Sequence, residues 1–367
     1  MVKPKSNIMD LPVYEPGKPI EEVQRELGLA EVIKLASNEN PFGCPPKAKE
    51  AVVRELANIQ IYPDGASQEL AAALSAHLGV GADQLIFGAG SDDVVLMIAR
   101  AFLTPEDETV MASHTFPQYK HNARVEGAKV IEVPLKDGRH DLPAMLAKVG
   151  PKTKVVWICN PNNPTGTIVT EEEVKAFLDG AGPDVLVVLD EAYCEYVTDE
   201  TYPDGLRLLK SYPNLVLLRT FSKIYGLASL RIGYGIGHPD VIRAINQVRE
   251  PFNTSRVAQA AAVAALADRE FIERCRRLNR EGIAYLNAEF ERMGLKAFPA
   301  HGNFVMVDTG RPAELVFDGL LRRGIIVRGG HKLGYPTMIR VTVGSREQNE
   351  RFIAALEQVL SEVAVKA

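Results

Sequence analysis

The sequence predicts an α/β protein with a mainly parallel sheet, followed by a smaller α+β part, and three observations carry that prediction. Compact runs rich in β-branched residues alternate with segments of helical periodicity, the pattern of βαβ units. Several of those runs are apolar throughout, as strands buried on both faces are. After Pro251 the texture changes to long helices and a few short strands.

Taken in order, residues 1–44 are rich in Pro and Asn and are expected to form an extended arm without a core of its own that contributes to the small domain and the substrate pocket. Residues 45–250 form the expected large domain. PKAKEAVVRELANI (46–59) and SQELAAALSAHLG (67–79) read as helices, QLIFGAG (84–90) as a strand closed by glycines, and SDDVVLMIARAFL (91–103) as a helix. The strands ETVMA (108–112), AKVIEVPL (128–135), TKVVWICN (153–160), DVLVVLD (184–190), NLVLLRT (214–220) and RIGYGIG (231–237) follow. Residues 251–367 contain an Ala-rich helix (256–270), a charged helix (271–294), the short strands NFVMVD, GIIVR and MIRVTVG, and a helix from Arg346. They are expected to connect to, and build, a small C-terminal domain.

The totals narrow the function. The chain has 367 residues, 46% of them hydrophobic, enough for a large core. Forty-two Lys and Arg against 47 Asp and Glu leave a net charge of −5, which does not supply the basic face that nucleic acid requires. No apolar run approaches the roughly 18–20 residues of a membrane helix, and no apolar leader opens the chain. Cys44, Cys159, Cys194 and Cys275 are widely spaced, as free thiols of a reducing, cytoplasmic compartment would be. No H-E-x-x-H occurs, so no metal site is expected, and His114, His121 and His331 are expected to be structural or solvated.

In parallel sheets ligands bind beyond the carboxyl ends of the strands, so chemistry is sought there. FGAGSDD (87–93) ends a strand and opens a helix. It is either a plain capped turn, with Ser91 as the cap, or a phosphate cradle made by helix N–H groups. It lacks the third glycine of a dinucleotide fingerprint, and no nucleotide P-loop is present. NPNNPTG (160–166) holds a stiff loop in which Asn163 offers an amide. Asp190 closes an apolar strand, where it either caps a helix or meets the cation of a ligand. Lys223 follows the strand 214–220, with Ser222 before it and Arg231 beyond. A desolvated lysine becomes a nucleophilic amine, and Ser222 with Arg231 can clamp a phosphate. One cofactor, pyridoxal 5′-phosphate, needs all of these groups: an amine for its aldehyde, a carboxylate for its ring nitrogen, donors for its hydroxyl and a phosphate cradle.

ASNENPFG (36–43), YPDG (62–65), NPNNPTG, DEAY (190–193), FSKIYGLASLR (221–231) and the closing GIIVR and IRVTVG together resemble the fold-type-I aminotransferases over nearly the whole chain. The resemblance implies a large domain with a mainly parallel seven-stranded sheet flanked by helices, a smaller α+β domain, and a homodimer. It implies that Lys223 binds the cofactor aldehyde and moves the proton, and that Asp190 pairs with the ring nitrogen. Tyr193 and Asn163 would bond the ring hydroxyl, and Phe116 would stack on the ring. Ser91, Asp92, Ser222 and Arg231 would hold the phosphate, with Tyr62 reaching the partner subunit's cofactor. Tyr14, Asn38, Arg328 and Arg340 would line the substrate pocket. Within the family the chain looks most like the members that exchange the amino group of histidinol phosphate with 2-oxoglutarate, by a ping-pong course, in histidine biosynthesis. An aromatic amino-acid aminotransferase, a decarboxylase of an amino-acid phosphate, and a nicotinamide oxidoreductase are the alternatives. Two stretches depart from the family pattern: Ser-Asp-Asp at 91–93, where Ser-Asp-Glu is usual, and the loop GGHKLGYPTMI (329–339).

Overall fold

The computed structural model describes residues 2–13 and 18–366. Its strands are β1 (Ile33–Lys34), β2 (Leu85–Gly88), β3 (Glu108–Ala112), β4 (Lys129–Val133), β5 (Thr153–Cys159), β6 (Leu186–Asp190), β7 (Leu215–Thr220), β8 (Gly233–Gly237), β9 (Lys296–Ala297), β10 (Phe304–Asp308), β11 (Ile325–Ile326), β12 (Arg328–Gly329) and β13 (Met338–Thr342). By contacts the chain divides into two compact units.

The first unit takes Cys44–Asn163 and Ile168–Ile272, with the first residues as far as Val13. It holds a seven-stranded sheet in the order β2-β8-β7-β6-β5-β3-β4. All neighbours pair in parallel except β8, which runs against both β2 and β7. β5, β6 and β7 are apolar because helices cover both faces. Trp157, Val155, Val188, Val216 and Leu218 pack there on Val94, Val95 and Ile98 of the helix Ser91–Phe102. Trp157 Nε1 donates to Thr109 Oγ1 at 2.9 Å and Thr109 Oγ1 to the Val155 carbonyl at 2.8 Å, so the polar atoms inside this core are satisfied. Local signals set the helix ends: Thr170 and Glu173 form a capping box for Glu171–Ala181, and proline opens Pro117–Val125 and Pro239–Asn246. The Ala-rich helix Arg256–Leu266 packs on Pro46–Glu55 and Gln68–Leu78. It therefore sits in the first unit, beyond the boundary expected at residue 250.

Of the described residues, the second unit takes 18–43, 164–167 and 273–366. An antiparallel sheet β12-β13-β10-β9 and a short parallel pair β1-β11 share a core with the helices Ala313–Leu321 and Arg346–Lys366. The N-terminal stretch also contains a helix. IEEVQREL forms the helix Ile20–Leu27, ended by Gly28 at φ +65°, and Val23 and Leu35 are buried. Its apolar positions fall on one face of a helix, which lets a Pro-rich stretch contribute to a core.

None of the four cysteines is in a disulfide. Among the described residues no helix is long and apolar enough to cross a membrane.

Candidate active site

The parallel strands deliver their carboxyl ends to one edge of the large sheet, and the loops leaving that edge carry most of the expected residues. β2 ends at Gly88, and the helix Ser91–Phe102 starts with Gly90 as its N-cap at φ +83°. Ser91 is thus the first helical residue, not the cap, and no side chain closes that helix end. A helix start of this kind presents N–H groups and a positive dipole end to an anion. Arg231, itself in the left-handed region at φ +54°, reaches across to it. Its Nη1 donates to Ser222 Oγ at 3.2 Å and its Nη2 to the Ala89 carbonyl at 3.3 Å, with Asp92 Oδ2 at 3.4 Å. Residues 89–92, 222 and 231 are therefore one cluster.

A Cβ built on Gly90 would collide with the Arg231 guanidinium. Gly90→Ala is expected to displace that guanidinium and to weaken binding of a phosphate-bearing ligand by about tenfold or more, read by titration calorimetry. Unchanged affinity would mean that the cluster is not a phosphate cradle.

Asp190, at the end of β6, is 4% exposed. The Tyr119 hydroxyl donates to its Oδ2 at 2.5 Å and the Ala192 N–H to its Oδ1 at 3.1 Å. Burial pushes the carboxyl up to about 6, against the pull of those two donors. Tyr193, three residues on, accepts from Asn163 Nδ2 at 3.5 Å. Lys223 Nζ lies 5.6 Å from the centre of the Tyr193 ring. Phe116 precedes the helix Pro117–Val125 and sets its ring edge-on to Tyr119, which in turn stacks on Trp157. Tyr62 makes none of these contacts; it is 74% exposed and stacks on Phe252.

Three groups of this site escaped the sequence reading. Tyr119 lies three residues after Phe116, but only the fold brings its hydroxyl to Asp190. Asn162 Oδ1 accepts from Thr115 Oγ1 at 2.8 Å and lies 3.1 Å from His140 Nε2, while its Nδ2 donates to the His114 carbonyl at 3.1 Å. That clasp ties the loop before Phe116 to the loop carrying Asn163. Burial lowers His140 to about 4, so it is a neutral member of the clasp. Glu191 and Arg219 form a buried ion pair at 2.8 Å beside the Asp190 turn. An Arg within an otherwise apolar strand was the available signal for it.

In the second unit, Asn38 is buried at φ +56°. Its backbone N–H donates to Thr342 Oγ1 at 2.9 Å and its carbonyl accepts from Asn303 Nδ2 at 2.9 Å. Arg328 and Arg340 are paired directly across β12 and β13 and so share a face. Arg340 Nη2 donates to the Ala36 carbonyl at 2.7 Å, and its guanidinium lies 5.4 Å from the Phe304 ring centre. Two like charges opposed on one sheet face repel, and an anion between them relieves that. Tyr14 lies outside the described residues.

A parallel sheet whose carboxyl edge gathers a lysine, a buried aspartate and an arginine-serine anion clamp defines an aminotransferase scaffold, and the chain belongs to the class I and II aminotransferases, whose family model matches residues 30–356. Histidinol-phosphate aminotransferase of Geobacillus sp. (strain WCH70) is 56% identical over 358 residues, covering 98% of each chain. That of Bacillus subtilis (strain 168) is 53% identical over 357 residues, covering 97% of this chain and 99% of its own. Among solved structures, histidinol-phosphate aminotransferase from Sinorhizobium meliloti in complex with pyridoxal-5′-phosphate matches with a TM-score of 0.90 at 30% identity, over 99% of this chain and 98% of its own.

Proposed function

We propose that this chain transfers the amino group of L-histidinol phosphate to 2-oxoglutarate, giving imidazole acetol phosphate and glutamate, with pyridoxal 5′-phosphate as cofactor. The observation that carries this reading is the convergence of Lys223, Asp190 and the Arg231–Ser222 clamp on one sheet edge, in a chain more than half identical to enzymes of that name.

The residues present fit the cofactor. Gly90 leaves room for the Arg231 guanidinium to lie against the uncapped helix start beside Ser222, and that grouping of donors suits a phosphate. The buried carboxyl of Asp190 is unfavourable as an isolated anion and suits a cationic ring nitrogen. When bound, pyridoxal phosphate supplies an aldehyde for the substrate's amino group and a ring that takes up the electrons left when the α-proton departs.

The chain's own groups do the rest. Lys223 Nζ would hold the resting cofactor through its aldehyde and, once freed by the substrate's amino group, would carry away the proton taken from the substrate α-carbon. Asp190 would hold a proton on the ring nitrogen. Tyr193 and Asn163 would donate to the ring hydroxyl, and Phe116 would offer a ring face to the cofactor. The N–H groups of Ser91 and Asp92 would join Ser222 and Arg231 on the phosphate. Tyr14, Asn38, Arg328 and Arg340 recognise the anionic end of the substrate or oxoacid. Histidinol phosphate has no α-carboxylate, so its phosphate is the group that two arginines can grip. The enzyme works as a cytoplasmic homodimer in which Tyr62 reaches the partner's cofactor; its exposure, next to exposed Ile59 and Ile61, supports such a contact.

The test is the absorption spectrum of the cofactor-loaded protein, titrated with histidinol phosphate or phenylalanine in the absence of oxoacid. Loss of the visible cofactor band at far lower histidinol phosphate than phenylalanine is expected. Equal response to both would make the chain a broader aromatic aminotransferase, and the absence of any band after adding pyridoxal phosphate would sink the reading.

A further inference from the structure

We propose that Tyr119 is a positioning residue for this transamination, its hydroxyl holding the Asp190 carboxylate ionised and turned toward the ring nitrogen. The inference rests on the role given to Asp190 above. Asp190 closes a strand buried along its whole length and is itself buried. Its Oδ1 is met by the Ala192 N–H, and its Oδ2 by the Tyr119 hydroxyl at 2.5 Å, a short charge-assisted bond.

The direction of that hydroxyl is fixed from behind. The Tyr119 ring is wholly buried, stacked on Trp157 with centroids 4.9 Å apart and planes 11° from parallel. Phe116 abuts its other side edge-on at 5.5 Å. Trp157 is itself anchored through Thr109 to the Val155 carbonyl of the same strand. Stacked on Trp157 and abutted edge-on by Phe116, the wholly buried phenol ring is confined, with its hydroxyl at Asp190.

The groups around Asp190 make that donor matter. Burial, Asp92 and Glu191 all favour the neutral acid, while Tyr119 and the Ala192 N–H favour the anion. The Cys159 thiol beside it is pushed up to about 12 and stays protonated. Tyr119 is raised well above the ordinary phenol value by the same burial and by Asp190, so it remains a donor throughout the working pH range. Without the hydroxyl, Oδ2 loses its donor in a buried site and the carboxyl shifts toward its neutral form, which cannot balance a ring cation.

The experiment compares wild type, Tyr119→Phe and Trp157→Phe. Tyr119→Phe removes only the hydroxyl and keeps the stack; Trp157→Phe loosens the stack and keeps the hydroxyl. In cofactor-free protein labelled with 13C-aspartate, NMR titration of Asp190 is expected to move upward by about one to two pH units in Tyr119→Phe and by clearly less in Trp157→Phe. In loaded enzyme, Tyr119→Phe is expected to lower kcat by about ten- to a hundredfold with KM for histidinol phosphate within about twofold, and to move the acid limb of the kcat profile to higher pH. An Asp190 titration unchanged in Tyr119→Phe would overturn the proposal, as would an equal shift in Trp157→Phe, which would assign the effect to ring packing. A wild-type protein that takes up no pyridoxal phosphate would instead sink the functional reading, and the carboxyl titration would still decide whether the hydroxyl controls Asp190.

Discussion

Lys223→Ala is expected to lose at least about four orders of magnitude in turnover, since it removes the amine proposed both to attach the cofactor and to move the α-proton. The residue sits in the turn after β7, where its carbonyl accepts from the Gly226 N–H at 3.0 Å, so truncation leaves the backbone path intact. The phosphate clamp of Ser222 and Arg231 does not depend on the lysine side chain, and the variant should still take up pyridoxal phosphate without the covalent link. Glutamate formation from histidinol phosphate and 2-oxoglutarate is the measurement, with cofactor uptake followed separately. Added methylamine is expected to restore a small part of the rate, because it replaces a missing amine base. A variant within tenfold of wild type would remove Lys223 from the chemistry.

Asp190→Asn is expected to lower kcat by about two to three orders of magnitude with little change in fold. The carboxamide has nearly the same shape, but its single acceptor oxygen can serve only one of the two donors, Tyr119 and the Ala192 N–H, and it cannot balance a cation. The pH dependence carries its own sign. Asp190 in the cofactor-free protein is raised to about 6, so its ionised form is lost as the pH falls through that value. Wild-type affinity for pyridoxal phosphate should therefore carry an Asp190-linked loss as pH drops from about 7 to about 5. In Asp190→Asn that component should be missing, while losses from the cofactor's own phosphate remain. Identical profiles, measured by fluorescence quenching at fixed ionic strength, would contradict the pairing.

Much of the large sheet was legible because its strands are short, apolar runs, and burial on both faces leaves them little choice of composition. Lys223, Asp190 and Asn163 were legible for a related reason: each closes or follows such a run, on the edge where parallel strands place ligands, whereas Arg231, which precedes β8, was legible only as a companion of Ser222 and Lys223. Tyr119 was not, because nothing in its own segment distinguishes it from a core aromatic, and its partner lies 71 residues away. Glu191 was overshadowed by Asp190, although it is the one that meets a buried cation, Arg219. The helix in the N-terminal stretch was hidden by the prolines around it, since the eight residues of Ile20–Leu27 give little periodicity to read. Two-residue strands such as β1 and β9 exist only through their partners and have no signal of their own.

The reversed direction of β8 has a further consequence. Because Thr220 and Gly233 are paired in the antiparallel ladder, residues 221–232 leave the sheet and return to it at the same edge. Both feet of this loop are stapled, by the ladder and by the Phe221 N–H to Ile232 carbonyl bond at 3.1 Å, and the Leu227 N–H bonds the Phe221 carbonyl within it. Lys223 and Arg231 therefore ride on a closed ring of fixed circumference, and their separation is a gauge length of the fold. An added or deleted residue there has no slack in which to dissipate, so this loop tolerates exchange of side chains far better than change of length.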